Sequence, residues 1–92
     1  GESVHPAAVE RVLAALPGVR AACVVGLPDP EWGQVVGAAL VLDGPVPDGL
    51  ADAVRAELGG PSVPRRLRVL DELPLRGVGK PDRAAVARLL TS

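Results

Sequence analysis

The chain predicts a small α+β domain, with helices packed on a sheet of about three strands in the order α-β-β-α-β-α. Three observations carry that expectation. Two apolar, β-branched runs, Val19 to Leu27 and Gln34 to Leu42, stand only six residues apart. Three other stretches space their apolar residues as one face of a helix does. Between the second and third of these, Arg66-Leu67-Arg68-Val69 alternates charge with apolar character. A length of 92 residues suits one such domain with one core and is too short for two.

The first helix opens at Pro6, whose missing N–H would have no intrahelical partner in the first turn and whose φ is already suitable. Val9, Val12, Leu13 and Leu16 follow at i, i+3, i+4 and i+7, and Pro17-Gly18 ends the pattern. From Val19 to Leu27 both alternations are apolar, as in a strand covered on both faces. Pro28-Asp29-Pro30-Glu31-Trp32-Gly33 breaks the run and Gln34 to Leu42 resumes it. A connection that short makes the two strands antiparallel, because a parallel crossover needs about a dozen residues or more. After the turn-rich Asp43 to Gly49, Asp48 is placed to cap a second helix in which Leu50, Val54 and Leu58 share a face. Gly59-Gly60-Pro61 stops it. Arg66 to Val69 reads as an edge strand with one face in water, guarded by its arginines. A ten-residue loop, Asp71 to Lys80, leads to Pro81 and a last helix whose Val86, Leu89 and Leu90 point inward.

Composition narrows the function classes. The hydrophobic fraction of 48% is built from Val, Leu and Ala, with Trp32 the single aromatic, so stability should be modest, on the order of a few kcal/mol. A formal charge of -1 supplies no global field for nucleic acid or an anionic membrane, and recognition must rest on specific sites. The one cysteine, Cys23, lies in an apolar run where a small buried thiol is expected, and a reducing, cytoplasmic setting fits it. No stretch approaches the roughly twenty apolar residues of a membrane span. Gly1 to Pro6 runs directly into a helix pattern without a signal-like segment, which reads as a fragment of a longer protein.

The residues with chemical character lie before the last helix. Lys80 is the only lysine, against nine arginines, in a Gly77-Val78-Gly79-Lys80-Pro81 turn. A compact ammonium on a flexible stem enters a crowded polar site as a point charge, which a planar guanidinium cannot do. Residue chemistry alone leaves a second reading open, an arginine-biased chain that kept one surface lysine. The loop is no phosphate-binding P-loop: Pro74 replaces the first glycine, Pro81 replaces the Ser or Thr after the lysine, and no βαβ unit surrounds it. Gly77 and Gly79 permit unusual backbone angles, while Pro74 and Pro81 stiffen both ends. The expected result is a semi-rigid loop that projects one cation.

Five motifs stand in order along the chain: Gly-Glu-x-x-x-Pro-x-x-Val-Glu at Gly1 to Glu10, Pro-Gly-Val at Pro17 to Val19, Val-Val-Gly-x-Pro-Asp-x-x-Trp-Gly at Val24 to Gly33, Val-Pro-Arg at Val63 to Arg65, and Leu-Pro-x-x-x-x-Gly-Lys-x-Asp-Arg at Leu73 to Arg83. Together they resemble the C-terminal domain of the adenylate-forming superfamily, which includes acyl-CoA synthetases, aryl-CoA ligases and the adenylation domains of nonribosomal peptide synthetases. The resemblance implies that Lys80 serves the first half-reaction, in which a carboxylate attacks the α-phosphate of ATP to give an acyl-adenylate and pyrophosphate. It also implies that the small domain then rotates and presents another edge for thioester formation with CoA or a carrier-protein pantetheine. On that side Gly1 would line the thiol tunnel with its backbone, next to Glu2; the hinge residue would lie upstream. The ATP and acyl pockets, and Mg, would belong to an N-terminal domain of the same enzyme, so this domain alone would be inactive and bind no metal. Arg76 and Pro81 depart from the family's usual Thr and aliphatic residue. The Arg-Gly-x-Gly-Lys wording and the short Asp43 to Gly49 linker resemble actinobacterial o-succinylbenzoate-CoA ligases of menaquinone synthesis.

Other residues have simpler readings. His5 is solvated or caps the first helix, with no second histidine to form a metal pair. Trp32 is expected to anchor the interstrand loop onto the domain. Arg65, Arg66 and Arg68 form the densest basic cluster and read as a solvated edge; CoA phosphates suit it better than nucleic acid, because no aromatic near them in sequence offers a base a stacking face. The alternative from another class is a stand-alone α+β binding or regulatory module in which the lysine loop is only a tight turn.

Overall fold

The computed structural model describes residues 5–91. Helix α1 spans Pro6–Ala14, strands β1 and β2 span Val19–Asp29 and Gly33–Leu42, helix α2 spans Leu50–Leu58, strand β3 spans Arg66–Val69 and helix α3 spans Arg83–Thr91, with a single 3-10 turn at Gly60–Ser62 before β3. The predicted order α-β-β-α-β-α is therefore the observed one. The sheet order is β1-β2-β3, with β1 antiparallel and β3 parallel to the central β2.

Strands β1 and β2 are covered on both faces, and side-chain alternation assigns their buried residues to one of two half-cores. Val24, Val36, Ala38 and Leu40 face α1 and α2, where they meet Val9, Leu13, Leu50 and Val54. Cys23, Val25, Leu27, Val35 and Ala39 face α3, where they meet Val86 and Leu90. This is why β1 and β2 are apolar on both alternations. Gly37 falls on the α3 side, and a Cβ there would lie 2.6 Å from Leu27 Cδ1 and 2.9 Å from Leu90 Cδ1. Its missing side chain is what lets α3 come down onto the sheet.

Several local expectations change. Strand β1 runs on to Asp29 and β2 starts at Gly33, so the connection is a three-residue turn rather than six residues. The Asp29 carboxylate accepts the backbone N–H groups of Glu31 and Trp32, each at 2.9 Å, and Gly33 takes the left-handed conformation at φ 80°. Helix α2 is not capped by Asp48; its N-cap is Gly49, at φ 77°, with no side-chain hydrogen bond. Leu58 ends α2 in a partly exposed position, and Leu89 is half-buried rather than central to the core. Strand β3 has no dry face: all four residues are exposed, Leu67 at 39% and Val69 at 49%, because an edge strand at this border of the sheet has one neighbour and little helix above it.

Replacing Gly37 with Ala should cost about 1–3 kcal/mol through overpacking against Leu27 and Leu90. Gly44→Ala, with nothing within 4 Å of the new Cβ, should be near neutral. Urea midpoints at unchanged slope test the contrast.

Candidate functional site

The lysine loop is closed at its base and open at its tip. Leu75 and Pro81 form an antiparallel bridge, the Arg76 N–H donates to the Lys80 carbonyl at 2.8 Å, and the Asp82 N–H donates to the Pro74 carbonyl at 2.8 Å. Gly77 and Gly79 both sit in the left-handed region, at φ 67° and 74°, which side-chain-bearing residues there would strain to reach. Val78, between them, is 100% exposed. Leu73 packs under the loop against the α3-side core, and Pro74 is half-buried beside it. Lys80 is exposed, and among the described residues its ammonium takes part in none of the ion pairs. The structure thus brings Pro74, Gly77, Gly79 and Lys80 into one small hairpin, with Lys80 exposed at its bonded base opposite Arg76.

Downstream of the lysine, a network anchors the hairpin. Asp82 Oδ1 accepts the Ala85 N–H at 3.0 Å and so caps α3. Arg83, the next residue, donates through Nη1 to Glu10 Oε1 at 3.0 Å and to the Val24 carbonyl at 2.8 Å, and through Nη2 to Glu10 Oε2 at 3.3 Å. Glu10 Oε1 also accepts the Val24 N–H at 2.9 Å. The hydrogen bond to Glu10 raises the Arg83 pKa further above its ordinary value. Both residues stand in the sequence motifs, but neither is predicted as a pair, because 73 positions separate them and no local spacing rule joins them.

Cys23 is fully buried beneath this network, its Sγ 3.6 Å from Arg83 Nη1. Burial pushes its thiol pKa up, more than the nearby Arg83 charge pulls it down. The folded chain therefore keeps a proton that the unfolded chain releases above about pH 8.5. Stability should fall as pH rises from there through the higher folded value, and Cys23→Ala should flatten that alkaline slope in urea midpoints measured across pH.

At the turn between β1 and β2, Trp32 does not anchor the loop to the core. Its side chain is 58% exposed, and the Arg65 guanidinium lies 5.0 Å from the ring centroid. The turn is held instead by Asp29, whose carboxyl pKa is lowered first by the Trp32 N–H and then by the Glu31 N–H. The basic cluster consequently does have an aromatic partner, brought from 33 positions away in sequence by β2–β3 pairing, in which the Arg65 N–H donates to the Val36 carbonyl at 2.9 Å. His5 is the N-cap residue of α1, but its side chain makes no capping bond. The described residues contain no group of three or more side chains able to hold a metal ion, and no helix among them is long and apolar enough to cross a membrane. Gly1 and Glu2 lie outside the described residues.

Residues 8–80 match the profile of the AMP-binding enzyme C-terminal domain. The chain belongs to that family. Among curated relatives of this C-terminal domain, a feruloyl-CoA synthase of Amycolatopsis is 45% identical over 83 residues, covering 87% of this chain and 17% of its own length. A probable 2-succinylbenzoate–CoA ligase of Mycobacterium tuberculosis is 42% identical over 92 residues, covering 96% of this chain and 24% of its own length. Among solved structures, the o-succinylbenzoate CoA synthetase of Bacillus subtilis superposes with a TM-score of 0.85 at 39% identity, over 95% of this chain and 18% of that one. The amide bond synthetase of Marinactinospora thermotolerans superposes with a TM-score of 0.86 at 45% identity, over 94% and 18%. The chain thus spans between about a sixth and a quarter of the relatives it matches.

Proposed function

We propose that this domain is the mobile C-terminal part of an AMP-forming acyl-CoA ligase, and that Lys80 is its catalytic residue for adenylate formation. The observation that carries the proposal is the glycine-flanked hairpin that presents the chain's only ammonium with no ion-pair partner among the described residues. When a carboxylate attacks the α-phosphate of ATP, negative charge crowds onto the attacking carboxylate and the phosphate oxygens. A preorganised cation there stabilises the transition state more than the ground state. A point charge with three rotatable donors fits that crowded space better than a guanidinium fork. Mg would be held by the rest of the enzyme.

The second half-reaction would use the other end of the sheet. Strand β3 leaves the Trp32 end, since Arg66 pairs with Gly37 and Val69 with Leu40, so the segment leading to Lys80 emerges at the far end. Trp32, Arg65, Arg66 and Arg68 offer an indole face and three guanidinium groups, a chemistry that suits the purine and phosphates of CoA. We read the acid as o-succinylbenzoate, supported by the lysine-loop wording and by the two o-succinylbenzoate ligases among the similar proteins. Feruloyl- and fatty-acid-activating relatives are similarly close, at 45% and 41% identity, and the amide bond synthetase shows an acceptor other than a thiol within the same similarity range. A panel of carboxylic acids, with CoA and amines as acceptors, decides both.

In the intact enzyme that contains this domain, Lys80→Ala should lower ATP–pyrophosphate exchange by about a hundredfold to a thousandfold while largely sparing thioester formation from supplied acyl-adenylate. Equal loss of both half-reactions would remove the assigned role. CoA should quench or shift the fluorescence of Trp32, the only indole of this domain, and Arg65→Ala should weaken that response; a signal unaffected by CoA would place the nucleotide elsewhere. A stand-alone module would predict neither activity. An upstream sequence of roughly 300–400 residues with a Ser/Thr/Gly-rich phosphate loop fits the ligase alone.

A further inference from the structure

We infer that Glu10 and Arg83 are positioning residues for Lys80, a role that rests on the catalytic function proposed for that lysine. Only two residues separate Lys80 from Arg83, and neither is free to swivel. Pro81 has its φ locked by its ring and is bridged to Leu75. Asp82 has its N–H bonded to the Pro74 carbonyl, its carbonyl bonded to the Val86 N–H at 3.0 Å, and its carboxylate committed to the Ala85 N–H. The place of the ammonium in the domain is therefore set by how the first turn of α3 is held, and Arg83 holds it.

The arrangement at Arg83 is more specific than an ordinary surface ion pair. A cation in the first turn of a helix meets the positive end of the helix dipole and is disfavoured there. Here that cation is fixed by three acceptor atoms, both Glu10 carboxylate oxygens and the Val24 carbonyl. Glu10 closes the circuit by accepting the Val24 N–H. One point on β1 thus fastens α1 and α3 together, and the lysine hairpin grows from the fastened end of α3. A lysine at position 83 could not reach the same three acceptors in one plane.

Because a reacting group misplaced by about 1 Å loses roughly a hundredfold in rate, loosening this clamp should be felt at Lys80. In the intact enzyme, Arg83→Met should lower kcat for adenylate formation about ten- to a hundredfold with little change in KM for ATP. Thioester formation from supplied acyl-adenylate should stay within about twofold, since the ammonium takes no part in it. The decisive readout is the double variant: with Lys80→Ala in place, adding Arg83→Met should cost adenylation almost nothing more, because a residue acting through Lys80 has nothing left to position. Glu10→Gln, which keeps an acceptor for the Val24 N–H and removes the charge, should give the same pattern more weakly and serves where Arg83→Met folds poorly. If Lys80→Ala alone leaves adenylation intact, the catalytic assignment falls. If Lys80→Ala is slow but the clamp variants lower both half-reactions equally, or add their full loss to the double variant, the clamp is only structural and the inference is overturned.

Discussion

Val24 sits in the middle of an edge strand, and its outward-facing N–H and C=O have no neighbouring strand to bond. Glu10 from α1 takes the first and Arg83 from α3 takes the second, and the two side chains are paired with each other. The Coulomb attraction of so exposed a pair is worth little by itself, with the Arg83 side chain 51% and the Glu10 side chain 26% accessible. Its value lies in the backbone groups it satisfies and in the elements it joins, where an unmade bond costs about 1–3 kcal/mol. That junction adds a polar tie between α1, β1 and α3 to the apolar packing of Val9, Leu13, Val86 and Leu90. Occupying the edge at Val24 also denies it to a strand from another chain.

The rest of the packing follows from a sheet thin enough to be covered twice. With no Phe, Tyr or Met, the two half-cores are filled by medium side chains, and close approach replaces bulk. Gly37 shows the device: α3 lies low enough on the sheet that Leu27 and Leu90 occupy the space a Cβ would take. Helix α3 is held at both ends, by the Arg83 network at the first and by Leu90 at the second. There the Leu90 carbonyl also accepts a long bond from Arg66 at 3.5 Å.

What the sequence made legible is what periodicity encodes. Apolar alternation placed β1 and β2, helical spacing placed Val9, Leu13, Val54 and Val86 in the core, and Gly77, Gly79, Pro74 and Pro81 foretold a tight loop around Lys80. What stayed hidden depends on contacts distant in sequence. Asp48 had the right residue type for a cap, but Gly49 supplied the left-handed turn that starts α2. Trp32 looked like an anchor because lone aromatics usually are, and instead it lies outside the core under Arg65. Glu10 and Arg83 each look like ordinary helix-surface charges until the fold closes and sets them together across β1.

The placement of the two charged features constrains how one domain could serve two steps. Helix α3 begins three residues after Lys80, and Leu90 near its other end meets Arg66 of β3, so the two features adjoin opposite ends of a nine-residue helix about 13 Å long. The hairpin is bonded at its base, the Trp32 turn is pinned by Asp29, and β1 and β2 between them pack into a half-core on each face. The ammonium and the indole–guanidinium patch therefore adjoin opposite ends of α3 rather than forming one cluster. If both act at one centre in one catalytic sequence, a rigid-body turn of the domain would present each in turn, and internal stiffness rather than internal flexibility is what would make such a turn useful.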